Sequence, residues 1–532
     1  MKHFRVVFKP DDKEISIHQG ATLLEAARQA GIILTAPCGG KGTCGKCAVR
    51  LHPSGQQVLA CQHPVQSDLV VVVPPESRFY EHKILDHGLA VGAGVHPSVF
   101  RRHEGMAGSV GGVFGVAVDI GTTTVVAKLL DMTDGRCRAT EAVLNPQTRF
   151  GDDVVSRINY AQSVEHLAEI HRVIIDCIND LIRRLCRQAA ISTSRVYEVC
   201  VVGNTTMNHI FLGYPVEQLG RAPYHAYSVD ARDLPPGDLG LDMNPAGNVH
   251  CVENIAGFVG ADTTAVALAV DMDGIQDRAL VVDIGTNGEI VLGARDRLYA
   301  ASCAAGPALE GARIKYGSRA ADGAIDAVVV DGDISLDVIG GIVPRSICGS
   351  GLIDAVAVLL ELGVLDATGR FVSPAGLPKN LPTAVASRLC ECDGQPAFRL
   401  ARDDGTGQAD VLLTQKDIRE MQLAKAAILA GIRILMNKLG MADRDIERVL
   451  LAGAFGNYIR PASAVRIGLL PNVPLDHIQS VGNAAATGAQ MLLISDECRD
   501  RAARLARRIQ YVEIAHEKDF SDIFSDAMLL SP

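Results

Sequence analysis

Val116-Ala117-Val118-Asp119-Ile120-Gly121-Thr122-Thr123-Thr124-Val125-Val126 is echoed further along the chain by Leu280-Val281-Val282-Asp283-Ile284-Gly285-Thr286-Asn287-Gly288-Glu289-Ile290. Each stretch reads as an apolar strand, an Asp, a Gly-Thr turn and a second apolar strand. Two more pairs follow in the same order. A long helical pattern leads into a strand at 164–187 and 197–204, and again at 414–439 and 448–457. Val259-Gly260-Ala261-Asp262 then opens a helix to Val270, and Val481-Gly482-Asn483-Ala484-Ala485 opens one to Leu493. Three paired features in one order imply a duplicated α/β unit, each a mixed sheet flanked by helices. The second copy is longer by one subdomain, lying between about 300 and 412. Two such units facing each other form a cleft, and ligands bind in clefts.

Upstream, Pro37-Cys38-Gly39-Gly40-Lys41-Gly42-Thr43-Cys44-Gly45-Lys46-Cys47 and then Leu59-Ala60-Cys61 place four cysteines at C-x5-C-x2-C-x13-C spacing. Cys38, Cys44, Cys47 and Cys61 are a ready ligand set for a [2Fe–2S] cluster. The glycines allow tight turns and let backbone N–H groups approach the sulfurs. The alternative is a zinc knuckle, but zinc sites favour two to four residues within a ligand pair, and the first gap here is wider. Phe4–Phe8 and Glu14–Ile17 read as a hairpin, Thr22 caps a short helix from Leu23 to Gln29, and Leu69–Val73 reads as a closing strand. The stretch resembles the [2Fe–2S] ferredoxin domains, and the resemblance implies a β-grasp fold over 1–78. Residues 79–112 lack a clear period and read as a linker with one short helix. The expected division continues with a middle domain at 113–200 and a second domain at 201–532 that carries the insertion.

The repeated Asp-x-Gly-Thr resembles the two phosphate loops of the actin–Hsp70–sugar-kinase superfamily, whose domains have duplicated RNase H-like α/β folds around a nucleotide cleft. The resemblance implies that Gly121, Thr122, Thr123, Gly285, Thr286 and Asn287 offer backbone N–H and hydroxyl groups to ATP phosphates. It implies that Asp119 and Asp283 serve catalysis by holding Mg²⁺ through water or orienting the attacking water. Physically, a carboxylate beside phosphates needs a divalent cation between them. No Walker A loop occurs in the chain. Gly349, Ser350 and Gly351 open a helix that is either an anion or adenosine platform or a plain cap. Gly453 and Gly456 fall where the superfamily has its adenosine loop. Glu310, after the second hairpin, is either a water- or magnesium-orienting carboxylate or a solvated turn residue. His209 reads as a structural histidine.

The bulk numbers narrow the class. A net charge of −10, and the absence of Trp, argue against nucleic-acid partners. No apolar run of about 18 residues occurs, so no membrane partner is expected. No signal peptide is read at the N-terminus, and the scattered remaining cysteines suit a reducing cytoplasm. Taken whole, nearly the entire chain resembles one family: the reductive activators of corrinoid proteins. The resemblance rests on the cysteine loop, the two Asp-Ile-Gly-Thr hairpins and the order of domains. It implies an ATP-hydrolysing iron–sulfur reductase that passes one electron through a [2Fe–2S] cluster to a partner corrinoid protein, reducing inactive Co(II) to Co(I) for methyl transfer. The implied partners are that corrinoid protein and an upstream low-potential electron donor; a homodimer stays open. The chain has no Asp-x-His-x-x-Gly segment, the motif of base-off corrinoid binding, so the cobalt is expected on another protein. Two other readings stand beside this one: an ATP-dependent activator of another low-potential metalloenzyme, and a non-enzymatic redox or nucleotide switch.

Overall fold

The computed structural model describes the chain apart from residues 1, 11, 31, 33, 35–41, 43–44, 46, 75–76, 78–91, 103–111, 295, 403–409, 457 and 532. The first unit is a five-stranded sheet of β1 (His3–Lys9), β2 (Lys13–His18), β3 (Ala48–His52), β4 (Gln57–Leu59) and β5 (Leu69–Val72), in the order β2-β1-β5-β3-β4. Alternation along β1 puts Val6 and Phe8 in the core. The helix Leu23–Gln29 covers that face with Leu23, Ala26 and Ala27. Its start is locked reciprocally: Glu25 N–H donates to Thr22 Oγ1 at 3.2 Å, and Thr22 N–H donates to the Glu25 carboxylate at 2.7 Å. This is the β-grasp arrangement.

Two six-stranded sheets carry the duplication. In the first, β6 (Phe114–Ile120), β7 (Thr124–Asp131), β8 (Cys137–Leu144), β9 (Val196–Gly203), β10 (Arg232–Leu234) and β11 (Asn248–Cys251) lie in the order β10-β11-β9-β6-β7-β8. The second unit opens with β12 (Ala279–Ile284), β13 (Gly288–Ala294) and β14 (Arg297–Cys303). Its insertion follows as two three-stranded sheets, β15 (Ala324–Asp331) with β16 (Asp333–Val338) and β17 (Ser346–Ile347), then β18 (Leu389–Cys392) with β19 (Gln395–Ala401) and β20 (Val411–Thr414). The main sheet is completed by β21 (Arg448–Ala452), β22 (Ile478–Gly482) and β23 (Ile509–Tyr511), in the order β22-β21-β12-β13-β14-β23. Laid side by side, β11-β9-β6-β7-β8 matches β22-β21-β12-β13-β14 in order. The pairing senses match too: parallel, parallel, antiparallel, antiparallel.

The long helices Val164–Gln188 and Gln415–Leu439 occupy the predicted places, the second behind a Thr414–Asp417 capping box. The helices Ala261–Ala269 and Ala484–Ile494 pack against each other between the halves. A Cβ on Gly488 would lie 2.2 Å from the Ala265 carbonyl oxygen, so glycine there permits the close approach.

Two boundaries differ from the sequence reading. The expected break at residue 200 falls inside β9, and β11 pairs with that strand in parallel, so the first sheet runs on to Cys251. The edge strands β10 and β11 are three and four residues long after an irregular loop, which leaves too little periodicity to read. Part of the expected linker is also docked rather than free. Residues 95–96 and the helix Ser98–Arg102 pack on the duplicated body, with Val99 buried in the core shared by its two halves.

Candidate functional site

The two hairpin turns face each other across the cleft. In the first, Gly121 N–H donates to Thr124 O at 2.9 Å; in the second, Gly285 N–H donates to Asn287 O at 2.9 Å. The hydroxyls of Thr123 and Thr286 stand 3.4 Å apart, and Glu310 spans them, accepting from Thr123 at 3.2 Å and from Thr286 at 2.7 Å. Glu310 sits at the end of the short helix Pro307–Glu310, which the left-handed Gly311 terminates. The structure thus brings together the two turns and the Glu310 that the sequence had singled out separately.

The first turn is held from behind. Asn145 Nδ2 donates to Gly121 O at 2.8 Å, Asn204 Nδ2 donates to Thr122 Oγ1 at 3.0 Å, and the buried Arg157 guanidinium donates to Thr122 O. These bonds fix the backbone so that its N–H groups keep one direction.

Below the turns lie four carboxylates: Asp119 on β6, Asp283 on β12, Glu289 on β13 and Asp262 in the first turn of the helix Ala261–Ala269. Each keeps part of its surface open to the cleft. The walls nevertheless exclude enough water to disfavour charge. Asp119 is pushed up to about 8, by loss of water first and then by Asp262 and Asp283, against a hydrogen bond from Asn483. Asp283 is pushed up to about 7 by burial and then by Asp262. Burial drives Asp262 and Glu289 upward as well, and repulsion from Asp262 and Asp283 adds to the rise at Glu289. Such a cluster holds protons unless a cation replaces them.

Of the two segments assigned to adenosine, the one at Gly453 lies beside this cluster. Gly453 has φ +88, and a Cβ there would meet Asp283 Oδ1 at 2.5 Å, so the turn Gly453–Gly456 rests directly on the second Asp. At the start of the helix Gly349–Glu361, a Cβ on Gly351 would lie 2.2 Å from Ile325 O. Packing therefore demands that glycine whether or not a ligand is present. His209 is buried, its Nε2 accepts from Tyr227 N–H at 3.1 Å, and burial lowers its pKa to about 4, which makes it structural.

In the first unit, Cys47 and Cys61 are buried on neighbouring positions of the β3–β4 hairpin, where Ala60 N–H donates to Cys47 O at 2.9 Å. Gly42 and Gly45 have φ +77 and +71, as a loop wrapping closely round sulfurs requires. Cys38 and Cys44 lie outside the described residues. The residues that are described fit an iron–sulfur group: two buried thiols at one edge of a loop with left-handed glycines.

The sequence reading did not assign Asp262, Glu289, Asn483, Asn145, Asn204 or Arg157. One signal was available for two of them. Asp262 and Asn483 open the paired helices, and duplicated helix starts that face a cleft are natural places for polar groups.

Fold and site define the class: a ferredoxin-type unit joined to an actin–Hsp70–sugar-kinase type unit. Comparison with known proteins agrees in order and extent. Residues 7–66 match the 2Fe-2S iron-sulfur cluster binding domain, 114–275 the RACo middle region, and 277–532 the C-terminal, ASKHA domain of RACo. The chain is 34% identical to the corrinoid activation enzyme RamQ of Eubacterium limosum over 98% of both chains. It is 26% identical to the Co(II) methylated amine-specific corrinoid protein reductase of Methanosarcina barkeri, over 77% of this chain and 76% of that one. A solved reductive activator for a corrinoid, iron–sulfur protein superposes with a TM-score of 0.73 at 31% identity, covering 99% of this chain and 98% of that one. The chain belongs to the family of reductive activators of corrinoid proteins. Among the described residues no helix is long and apolar enough to cross a membrane.

Proposed function

We propose that this protein is an ATP-dependent reductive activator that delivers one electron to a partner corrinoid protein, taking its inactive Co(II) to Co(I). The observation that carries the ATP half is Glu310 spanning Thr123 and Thr286 above a cluster of proton-holding carboxylates. Thr122, Thr123, Thr286 and Asn287 bind the phosphates, while Gly121 and Gly285, whose N–H groups close the two turns, keep side chains out of the ligand's way. Asp119 and Asp283 would hold Mg²⁺, which would supply the positive charge needed between carboxylates and phosphates. Glu310 loses its two threonine donors to the phosphates and is left to orient a water. Gly349, Ser350, Gly351, Gly453 and Gly456 offer backbone surface to the adenosine. Cys38, Cys44, Cys47 and Cys61 hold a [2Fe–2S] group, which supplies a one-electron carrier. An upstream low-potential donor refills it.

The test mixes the protein with a Co(II) corrinoid protein and a low-potential reductant and follows the visible spectrum. Co(I) accumulates with Mg–ATP, not with ADP, and fails to form when Cys47→Ser protein is used with ATP. Equal Co(I) with and without nucleotide refutes the reading.

A further inference from the structure

The molecule buries an ion cluster that nothing in the nucleotide site uses. Glu198, on β9, has no exposed surface. Its Oε1 accepts from Arg102 at 3.0 Å, from Arg499 at 2.9 Å and from Asn248 at 2.9 Å, while its buried Oε2 has no hydrogen-bond partner among the described residues. Asp233 adds a second carboxylate, 3.9 Å from Arg102 and 4.0 Å from Arg499, and accepts from Asn248 and His250. Glu198 and the two arginines come from three parts of the chain. Glu198 belongs to the first half and Arg499 to the helix Asp496–Arg508 of the second. Arg102 ends the helix Ser98–Arg102, in the segment that follows the ferredoxin-type unit.

That segment is fastened at more than one point. His96 N–H donates to Ile494 O at 2.8 Å, and Asp496 N–H donates to His96 O at 3.1 Å. Arg101 pairs with Asp496, and Val95 packs where a Cβ on Gly135 would stand. An ion triad of this kind is no better for stability than an apolar set of the same volume, and its best-attested use is to define one arrangement of the parts.

Two rigid elements lead from the fastening to the nucleotide cleft. β9 carries Glu198 and ends at Gly203, and the next residue, Asn204, donates to the Thr122 hydroxyl. The helix Ala484–Ile494 starts behind Asn483, the hydrogen-bond partner of Asp119, and ends roughly 16 Å away at Ile494, the partner of His96. The same helix forms the close contact between the halves at Gly488. A ligand held between Thr123 of one half and Thr286 of the other takes the place of the Glu310 bridge and resets the spacing of the halves on their near side. The Arg499–Glu198 bond spans the halves on the far side and must then adjust, since packed elements shift as units.

We propose that the Arg102–Glu198–Arg499 triad docks the tether of the ferredoxin-type unit at the hinge of the nucleotide cleft, so that nucleotide occupancy is transmitted to residues 95–102. This rests on the reading of the cleft as an ATP site. It gives the chain a route by which nucleotide state sets how the electron-carrying unit is held.

Hydrogen exchange on the full-length protein, with and without Mg²⁺ and a non-hydrolysable ATP analogue, tests it, with calorimetry reporting binding of the analogue. In the wild type, exchange over residues 95–102 and 494–499 shifts by about threefold or more when nucleotide binds. In Arg102→Met the tether exchanges faster and no longer responds to nucleotide, while ATP affinity and hydrolysis stay within about twofold, since the side chain touches neither turn. Glu198→Gln, which keeps the shape and removes the charge, gives the same loss of response. A tether that ignores nucleotide in the wild type while the analogue binds overturns the proposal, as does an undiminished response in Arg102→Met. If calorimetry shows no binding to the wild type, the ATP reading falls and takes this one with it, an outcome distinct from the other two.

Discussion

The two halves share a strand order and an Asp-Ile-Gly-Thr sequence, yet their turns differ by one residue, and the residues opposite the two aspartates differ in kind. In the first half the pairs Ile120↔Val125 and Asp119↔Val126 enclose residues 121–124; in the second, Ile284↔Gly288 and Asp283↔Glu289 enclose only 285–287. A shift of one residue exchanges the faces of a strand. Asp119 faces a valine in either register, since residues 125 and 126 are both Val, whereas Asp283 faces a second carboxylate. Burial, with Asp262 and Asp283 close by, pushes Glu289 toward its protonated form, so the pair avoids two full charges facing each other. The first turn is further tied down by Asn145, Asn204 and Arg157, whereas Gly453 closes on Asp283 in the second. Duplication preserved the sheets. The first half holds its turn with side chains from behind, and the second sets another carboxylate opposite its Asp.

The largest effect expected is on turnover. Asp283→Ala should lower ATP hydrolysis on the order of 10²-fold or more, and Asp119→Ala should do the same if both carboxylates serve one Mg–ATP. Normal turnover in both variants would break the assignment; loss in only one would show that the halves do not share the ion.

Next in size is a steric contrast. A Cβ at Gly121 would meet Thr124 O at 2.7 Å, while at Gly285 the nearest atom is 3.6 Å away. Gly121→Ala should destabilise the fold by about 2 kcal/mol, as overpacking does. Gly285→Ala should stay within about 0.5 kcal/mol by thermal melting and should weaken nucleotide binding instead. Equal losses of stability would erase the distinction between a rigid turn and an open one.

Titration offers a third test. Asp119 and Asp283 have folded-state values of about 8 and about 7, above those of an unfolded chain. The folded protein therefore binds more protons than the unfolded one across this window. The stability these groups contribute is complete below about pH 4 and is lost as pH climbs through about 7 and 8. The nucleotide-free protein should melt at a lower temperature near pH 8 than near pH 6, and Asp119→Asn should flatten that slope. Binding of Mg–ATP near neutral pH should release protons, seen as a buffer-dependent heat. A flat profile and no proton release would mean that the carboxylates are already charged.

The smallest effect expected is at Asn483. Its hydrogen bond lowers the pKa of Asp119, so Asn483→Ala should raise that value further and move the pH–rate profile for ATP hydrolysis to higher pH. An unmoved profile would remove Asn483 from the site.

Much of this architecture can be read from local pattern. The hairpins, the paired long helices and the cysteine spacing each lie within a few dozen residues, where alternation, capping and spacing act directly. Cys47 and Cys61 were legible for that reason, and so was the pairing of Asp119 with Asp283. The short strands β10 and β11 were not, because edge strands of three and four residues carry no period. The docked segment at 95–102 was also hidden, since its hold depends on Ile494, Glu198 and Arg499, all far away in the chain.

By itself, the order of residues determined the duplicated fold, the ferredoxin-type unit and the residue types available at each turn, because these follow from periodicity and local backbone preference. Only the tertiary structure decided that Glu310 bridges Thr123 and Thr286, that Asp262 and Glu289 join the two aspartates, and that Glu198 gathers arginines from two other segments. Electrostatic energy depends on distance through space and on how much water is excluded, and neither is set until the halves close on one another.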